Sequence, residues 1–168
     1  MPNEDSTLFI KAYPISHALL AHDGLMTPKL THFFGAVHAQ QTDFADEGDH
    51  VIRHSKLYQT TSGAELLRAK LTIFKAAVPH GFLQRLLSGT RLFGQLVIDE
   101  GLNVRIVEQQ IFRSEPFGQD NKTVWGRSHR MLCEGLNNPL CDVEERLQSE
   151  LTLERLLLPQ HRSMLQAP

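Results

Sequence analysis

Hydrophobic and polar residues alternate along residues 64–78, AELLRAKLTIFKAAV, as in a strand with one buried face. Arg68 and Lys70 fall on one face of this strand. The opposite face carries four apolar side chains, Leu67, Ala69, Leu71 and Ile73. Residues 50–61 have a similar β-rich character, and a Thr-Ser-Gly turn signal at 61–63 separates the two stretches. The pattern therefore predicts an antiparallel hairpin.

Further β-branched and alternating stretches predict strands at 36–45, 103–112, 123–133 and in the first half of 139–147, separated by turn signals. The last of these has an alternative interpretation. Residues 142–151 also fit the start of a helix, with Asp142 as N-cap and Glu145 completing a capping box. The pattern leaves strand and helix both open at this point.

Helical spacing and end signals predict helices at 16–24, 26–35, 79–89 and 148–158. Ser16 and Thr27 are the candidate N-caps, and Gly24 and Gly35 are the candidate C-terminal glycines. Residues 91–101 are ambiguous. Two helices, then strands, a helix and strands again predict an α+β fold with an antiparallel sheet.

A chain of 168 residues has room for one ordinary domain. We assign it to residues 16–158, with residues 1–15 as an N-terminal extension and residues 159–168 as a fraying C-terminal tail. The composition, 41% hydrophobic and 21% charged, is that of a globular protein and excludes a disordered or collagenous chain.

The net charge of -2 and the dispersed basic residues argue against nucleic-acid binding. The N-terminus carries acidic residues instead of the basic start of a secretory signal, and no stretch approaches the roughly eighteen apolar residues of a membrane span. We therefore expect a soluble cytoplasmic protein.

Metal and disulfide chemistry have little support in the sequence. Cys133 and Cys141 are too few for a disulfide framework or a zinc ribbon, and none of the nine histidines falls in an H-E-x-x-H motif. We expect both thiols to be buried and no metal site.

Four blocks in sequence order resemble the chorismate lyase family. They are DGLMT at 23–27, IRHSKL at 52–57 with its hairpin up to Pro79, LLSGTRLFGQL at 86–96, and VWGRSHRMLCEGLNNPLCDVEE at 124–145. The resemblance covers about residues 16–146 and depends on the order and spacing of the blocks. It implies about six antiparallel strands with helices covering an internal ligand cavity, and elimination of pyruvate from chorismate to give 4-hydroxybenzoate without a metal or organic cofactor.

The resemblance also implies a set of site residues. Arg53 and Glu144 take the catalytic positions, and the substrate-binding positions fall on Met26, Phe93, Gly94 and Lys70. Phe93 stands where a leucine is common in the family, and Lys70 stands where the family has an arginine. These departures bear on the shape of the pocket.

The expected chemistry matches these residue types. A planar guanidinium such as that of Arg53 pairs with a carboxylate through two parallel hydrogen bonds, and Lys70 offers a second positive charge. Glu144 can orient the ring hydroxyl of chorismate or exchange a proton with it, unless conformational restraint supplies most of the rate. Residues 24–27 and 89–94 are expected to form two sides of a lid.

Two other functions remain open. The fold to which the resemblance points also serves as the ligand-sensing domain of bacterial repressors, a binding module without catalysis. A diverged relative could instead bind or process another aromatic or enolpyruvyl acid. Fold kinship does not decide among these functions, because function depends on the site.

Overall fold

The computed structural model describes residues 4–88, 91–135 and 138–166. Across these residues six strands form one antiparallel sheet in the order β1-β2-β3-β6-β5-β4. The strands are β1 (Val37–Asp46), β2 (His50–Gln59), β3 (Glu65–Phe74), β4 (Val104–Ser114), β5 (Val124–Cys133) and β6 (Pro139–Leu147). The predicted α+β class and the six-stranded antiparallel sheet are confirmed.

Helices cover one face of this sheet. They are α1 (Glu4–Ala12), α2 (Pro14–Leu20), α3 (Met26–Phe34), α4 (Phe82–Leu87), α5 (Phe93–Asp99) and α6 (Glu150–Leu156), with 3-10 turns at Lys75–Ala77 and Pro159–Gln166. No helix of the described residues is long and apolar enough to cross a membrane.

Helical structure is present in the predicted N-terminal extension and in the predicted C-terminal tail. Residues 4–12 form α1, and the ring of Phe9 lies 4.3 Å from that of Trp125, centroid to centroid. This aromatic contact attaches the first helix to β5. The tail continues as a 3-10 turn beyond Pro159.

The two predicted helix N-caps, Ser16 and Thr27, are wrong. Ser16 lies inside α2, where its hydroxyl donates to the Glu150 carboxylate at 2.6 Å instead of capping the helix. Helix α3 begins at Met26, and Thr27 makes no capping bond. The predicted stop at Gly35 is correct, since its φ of 78° is a conformation that glycine adopts without strain.

The ambiguous segments are now assigned. Residues 93–99 form α5, and residues 139–147 form β6. The next helix starts only after Ser149, whose hydroxyl accepts from the Thr152 N–H, so Asp142 is not an N-cap. Tertiary pairing with β3 and β5 decides for the strand. The proposed helix stop at Gly89 and part of the turn at 134–139 lie outside the described residues.

The core between sheet and helices has two parts. One cluster packs α2, α3 and α6 on the sheet around Leu30, Phe34 and Leu67. The other packs α4 and α5 around Phe82 and Leu86. Helices α3 and α5 contact each other where the two clusters meet.

Candidate functional site

A small interior cavity lies where the two core clusters meet. Its floor is the covered face of β1, β2, β3, β5 and β6, and its roof consists of residues 25–27 and 92–94. The space open to the centres of water molecules is about 40 Å³, which is room for only a few waters. A ligand of the size of an aromatic acid therefore requires the roof to move.

The roof is made of two helix starts in close contact. Met26 and Phe93 are the first residues of α3 and α5, and their N–H groups have no acceptor within their own helices. A Cβ added to Gly94 would lie 2.5 Å from the Thr27 hydroxyl oxygen. The absence of a side chain at Gly94 thus allows the two helix starts to meet. Three residues predicted from the sequence, Met26, Phe93 and Gly94, line this cavity.

Arg53 is the main charge on the cavity wall. It is only 1% exposed, and it points from β2 toward the covered side. Its guanidinium donates to the Gln41 side-chain oxygen at 3.2 Å and to the Arg91 carbonyl at 3.1 Å. No carboxylate of the described residues lies within 4.0 Å of it.

Burial lowers the pKa of Arg53 to about 10, so the side chain still carries its charge at neutral pH. Two neutral acceptors hold it in place, but they do not neutralise it. A buried charge without an ionic partner is costly, and an anion entering the cavity would remove that cost.

Glu145, not Glu144, faces the cavity. Glu145 is 7% exposed and lies opposite Arg127 of β5 in the strand register. The Arg127 Nε–H donates to a carboxylate oxygen of Glu145 at 2.6 Å. Burial raises the pKa of the Glu145 carboxyl, and the adjacent guanidinium partly opposes that effect.

The predicted placement of Glu144 in the site is wrong. Its side chain is 37% exposed on the outer face of the sheet, where it pairs with Arg146 at 2.7 Å. The sequence already held the deciding signal, because Cys141, Val143 and Leu147 are the apolar positions of β6 and Glu145 shares their parity. The resemblance that pointed to Glu144 did not take this alternation into account.

Lys70 is the second predicted site residue that lies away from the cavity. It is exposed on the outer face and pairs in register with Glu144. These two predicted site residues are therefore neighbours on the face of the sheet opposite the cavity. The alternation of β3 had already placed Lys70 opposite its apolar face. Among the described residues that line the cavity there is no lysine, and the two neighbours of Lys70 on β3, Ala69 and Leu71, line the cavity instead.

Arg127 was not among the site residues predicted from the sequence. The structure buries this side chain completely. Its parity with Trp125, Met131 and Cys133 along β5 is the signal that would have indicated the covered face.

His129, which is buried, and His22, which is half-buried, lie near this pair. Burial, with Arg127 as the next cause, lowers the pKa of His129 to about 3 and that of His22 to about 4, so both rings are neutral at physiological pH. Neither ring nitrogen of His129 has a hydrogen-bond partner among the described residues.

Metal and thiol chemistry add nothing further to this site. No group of three or more His, Cys, Asp or Glu side chains within the described ranges could hold a metal ion. Cys133 and Cys141 are both buried and unlinked, and burial raises the pKa of the Cys141 thiol.

Comparison with known proteins supports the fold. No protein-family model matches this sequence, and no curated protein matches it. Among solved structures, the chain is similar to PhnF from Mycobacterium smegmatis, with a TM-score of 0.56 and 11% identity over 76% of this chain and 64% of that one. It is also similar to the separately solved effector domain of PhnF, with a TM-score of 0.57 and 11% identity over 76% of this chain and 90% of that domain.

These likenesses identify the architecture as the chorismate lyase-like fold. The chain spans 64% of the longer PhnF chain. At 11% identity the match carries the fold alone, and function must come from the site.

Proposed function

We propose that the cavity binds a small organic acid whose carboxylate pairs with Arg53. The observation that carries this proposal is a buried guanidinium on the wall of an apolar cavity with no carboxylate of the described residues beside it. A planar carboxylate forms two parallel bonds with such a group, and exclusion of water keeps the pair strong. The apolar lining from Leu57, Leu71 and Met131 fits a ring or another hydrocarbon part of the acid.

We further propose that this acid is chorismate and that the chain eliminates pyruvate from it. In this reaction the C–O bond to the enolpyruvyl group breaks, and the ring hydrogen at the hydroxyl-bearing carbon is lost. A hydrogen is gained at the enolpyruvyl methylene, so the products 4-hydroxybenzoate and pyruvate account for all atoms. Arg53 holds a carboxylate of the substrate. Glu145, which takes the role expected of Glu144, lies near the ring hydroxyl and orients it or exchanges a proton with it.

The placement of Arg53 and Glu145 supports this assignment. In the sheet register Arg53 aligns with Leu71 and Val143, and Glu145 aligns with Ala69 in the neighbouring row. Ordinary strand spacing puts the two Cα atoms about 12 Å apart on the same face of the sheet, so a small aromatic acid between the two side chains can contact both.

The second carboxylate of chorismate needs another positive charge. Arg127 donates to the Glu145 carboxylate at 2.6 Å from the covered face of β5, and we propose that its guanidinium supplies this charge. Burial raises the pKa of Glu145, and the adjacent Arg127 opposes that effect.

The direct test is incubation of the purified chain with chorismate, followed by measurement of both products. Equal amounts of 4-hydroxybenzoate and pyruvate support the lyase proposal, and Glu145→Gln should then lower kcat more than it raises KM. Glu144→Gln is the matched control and should behave like the parent. Chorismate that remains intact in the presence of folded protein rules out the lyase proposal.

A second candidate is a sensing domain that binds the acid without converting it. The observation that favours it is the likeness to the PhnF effector domain, 90% of which this chain spans. The incubations with chorismate, together with thermal melting of the same protein, distinguish a sensing domain from a lyase. A rise in melting temperature with 4-hydroxybenzoate or chorismate, together with unchanged chorismate, supports sensing. If neither acid raises the melting temperature of the parent protein, the proposed binding of an acid at Arg53 is contradicted.

A further inference from the structure

The guanidinium of Arg127 bonds to two different parts of the cavity at once. Its Nε–H donates to Glu145, while its two terminal nitrogens donate to the backbone carbonyls of His22 and Gly24, each at 3.0 Å. These carbonyls belong to residues 21–25, which we call the roof corner, between α2 and α3. All three nitrogens of one fully buried side chain are therefore used, one on the floor and two on the roof corner.

The roof corner leads directly into the cavity roof. Leu25, Met26 and Thr27 follow the two bonded carbonyls and line the cavity. Because α2 ends at Leu20, its last carbonyls have no helical partner. The Gln109 side chain donates to the Leu20 carbonyl at 3.0 Å, and Arg127 supplies the donors further along the corner. The position of the roof thus depends on a side chain from the sheet.

We propose that Arg127 is a positioning residue that holds the roof corner closed over the cavity and thereby sets the rate at which a bound acid leaves. The first part rests on the bonds above, and the second part rests on the proposed binding of an acid at Arg53. An ammonium group cannot replace Arg127, because it lacks the fixed planar set of donors that reaches a carboxylate and two carbonyls together.

The first arm of the test measures how readily the backbone of the roof corner opens in the absence of any ligand. Amide hydrogen exchange is followed in the parent, Arg127→Lys and Arg130→Lys. Arg130 lies on the same strand but on the outer face, where it pairs with Asp142, so it is the matched control. We expect about ten-fold or faster exchange at residues 21–27 in Arg127→Lys, because two charge-assisted bonds are lost, and less than about two-fold change in Arg130→Lys.

The second arm measures ligand release. Stopped-flow displacement of 4-hydroxybenzoate should show dissociation accelerated about ten-fold in Arg127→Lys, with association changed less than about three-fold, since a looser roof affects release more than encounter. A purely structural loss would instead lower the fraction of competent protein and leave the dissociation rate unchanged. Arg130→Lys should match the parent in both rates.

Glu145→Gln separates the two ends of the contact. It removes the carboxylate but keeps both carbonyl bonds of Arg127, so exchange at residues 21–27 should stay within about three-fold of the parent. This variant also tests the proposal if Arg127→Lys does not fold. Acceleration in Glu145→Gln as large as that expected for Arg127→Lys would show that the carbonyl bonds do not hold the corner.

The outcomes are distinct. Equal exchange in Arg127→Lys and Arg130→Lys overturns the holding role, and unchanged dissociation in Arg127→Lys overturns the release role. A parent protein that binds no 4-hydroxybenzoate contradicts the proposed acid and the release role with it, while the exchange arm still decides whether Arg127 holds the roof corner.

Discussion

The two faces of the sheet carry the same kinds of side chain in opposite surroundings. On the covered face, Ser55, Ala69, Glu145 and Arg127 align across β2, β3, β6 and β5. One residue along each strand, His54, Lys70, Glu144 and Ser128 form the neighbouring row on the outer face. Glu145 is buried against Arg127, whereas Glu144 is half-exposed beside Arg146.

The difference shows that residue type alone does not define a site in this fold. An exposed pair such as Glu144 with Arg146 contributes at most about 1 kcal/mol, because solvent screens it and its side chains lose freedom. The same pairing on the covered face controls the charge of a cavity and the position of its roof. Each of the following predictions sets a covered residue against an outer one.

The largest difference is expected between Arg53 and Lys70. Arg53→Met should weaken 4-hydroxybenzoate binding by about 30-fold or more, since loss of one partner of a buried charged pair costs roughly 2 to 5 kcal/mol. Stability should change little or rise, because an uncompensated buried charge is removed. Lys70→Met should leave both quantities nearly unchanged. Calorimetric titration and thermal melting measure them, and equal losses of affinity in the two variants would place the acid elsewhere.

The next comparison concerns Glu145 and Glu144. Glu145→Gln should lower the free energy of unfolding by about 2 kcal/mol at pH 7, because Arg127 then stays buried without an ionic partner. Glu144→Gln removes only an exposed pair and should cost less than about 1 kcal/mol. Urea unfolding of the two variants measures the difference. A cost for Glu144→Gln that matches that of Glu145→Gln would contradict the contrast between the faces.

Alanine substitutions at two glycines are expected to separate an effect on fold stability from an effect on acid binding. Alanine at Gly94 would clash with Thr27 in the roof, and alanine at Gly126 would meet the Glu145 backbone oxygen at 2.5 Å. Each change should destabilise the fold by about 1 to 3 kcal/mol. Only Gly94→Ala should also weaken acid binding, because only Gly94 lies in the cavity. Binding measured under conditions where both variants are folded tests this, and a Gly126→Ala variant with the larger binding defect would contradict it.

Near neutral pH the smallest effect is a dependence of stability on pH. Since the folded-state pKa of His129 is about 3, below its ordinary value of 6.5, the unfolded chain binds more protons between these pH values. The contribution of the neutral His129 ring to the free energy of unfolding is fully present above pH 6.5. It falls by up to about 1.4 kcal/mol for each pH unit below that value. His129→Leu should flatten this acid limb in urea unfolding from pH 7 to pH 5. His54→Leu, from the outer face, is the control, and an equal flattening there would assign the limb to other groups.

Local pattern was enough to determine most of the fold. Alternation in β2, β3 and β5 predicted those strands and the buried face of β3, and the glycine at Gly35 marked the end of α3. These features depend on side-chain periodicity and on local backbone preferences, which neighbouring residues contain. The resemblance to the chorismate lyase family, and not local pattern, indicated Arg53, Met26, Phe93 and Gly94, which line one cavity in the structure.

Tertiary structure decided which element residues 139–147 form, and alternation could indicate the buried charges only once that element was a strand. Strand pairing excluded the helix at 142–151, and the register of β6 between β3 and β5 turned Glu145 inward and Glu144 outward. Arg127 acquired its role only because the corner between α2 and α3 packs over β5, more than 100 residues away in sequence. A one-residue change of register moves every side chain of a strand to the other face, so long-range pairing fixes the inward position of Glu145 and Arg127, while alternation along β5 and β6 indicates only which residues share a face.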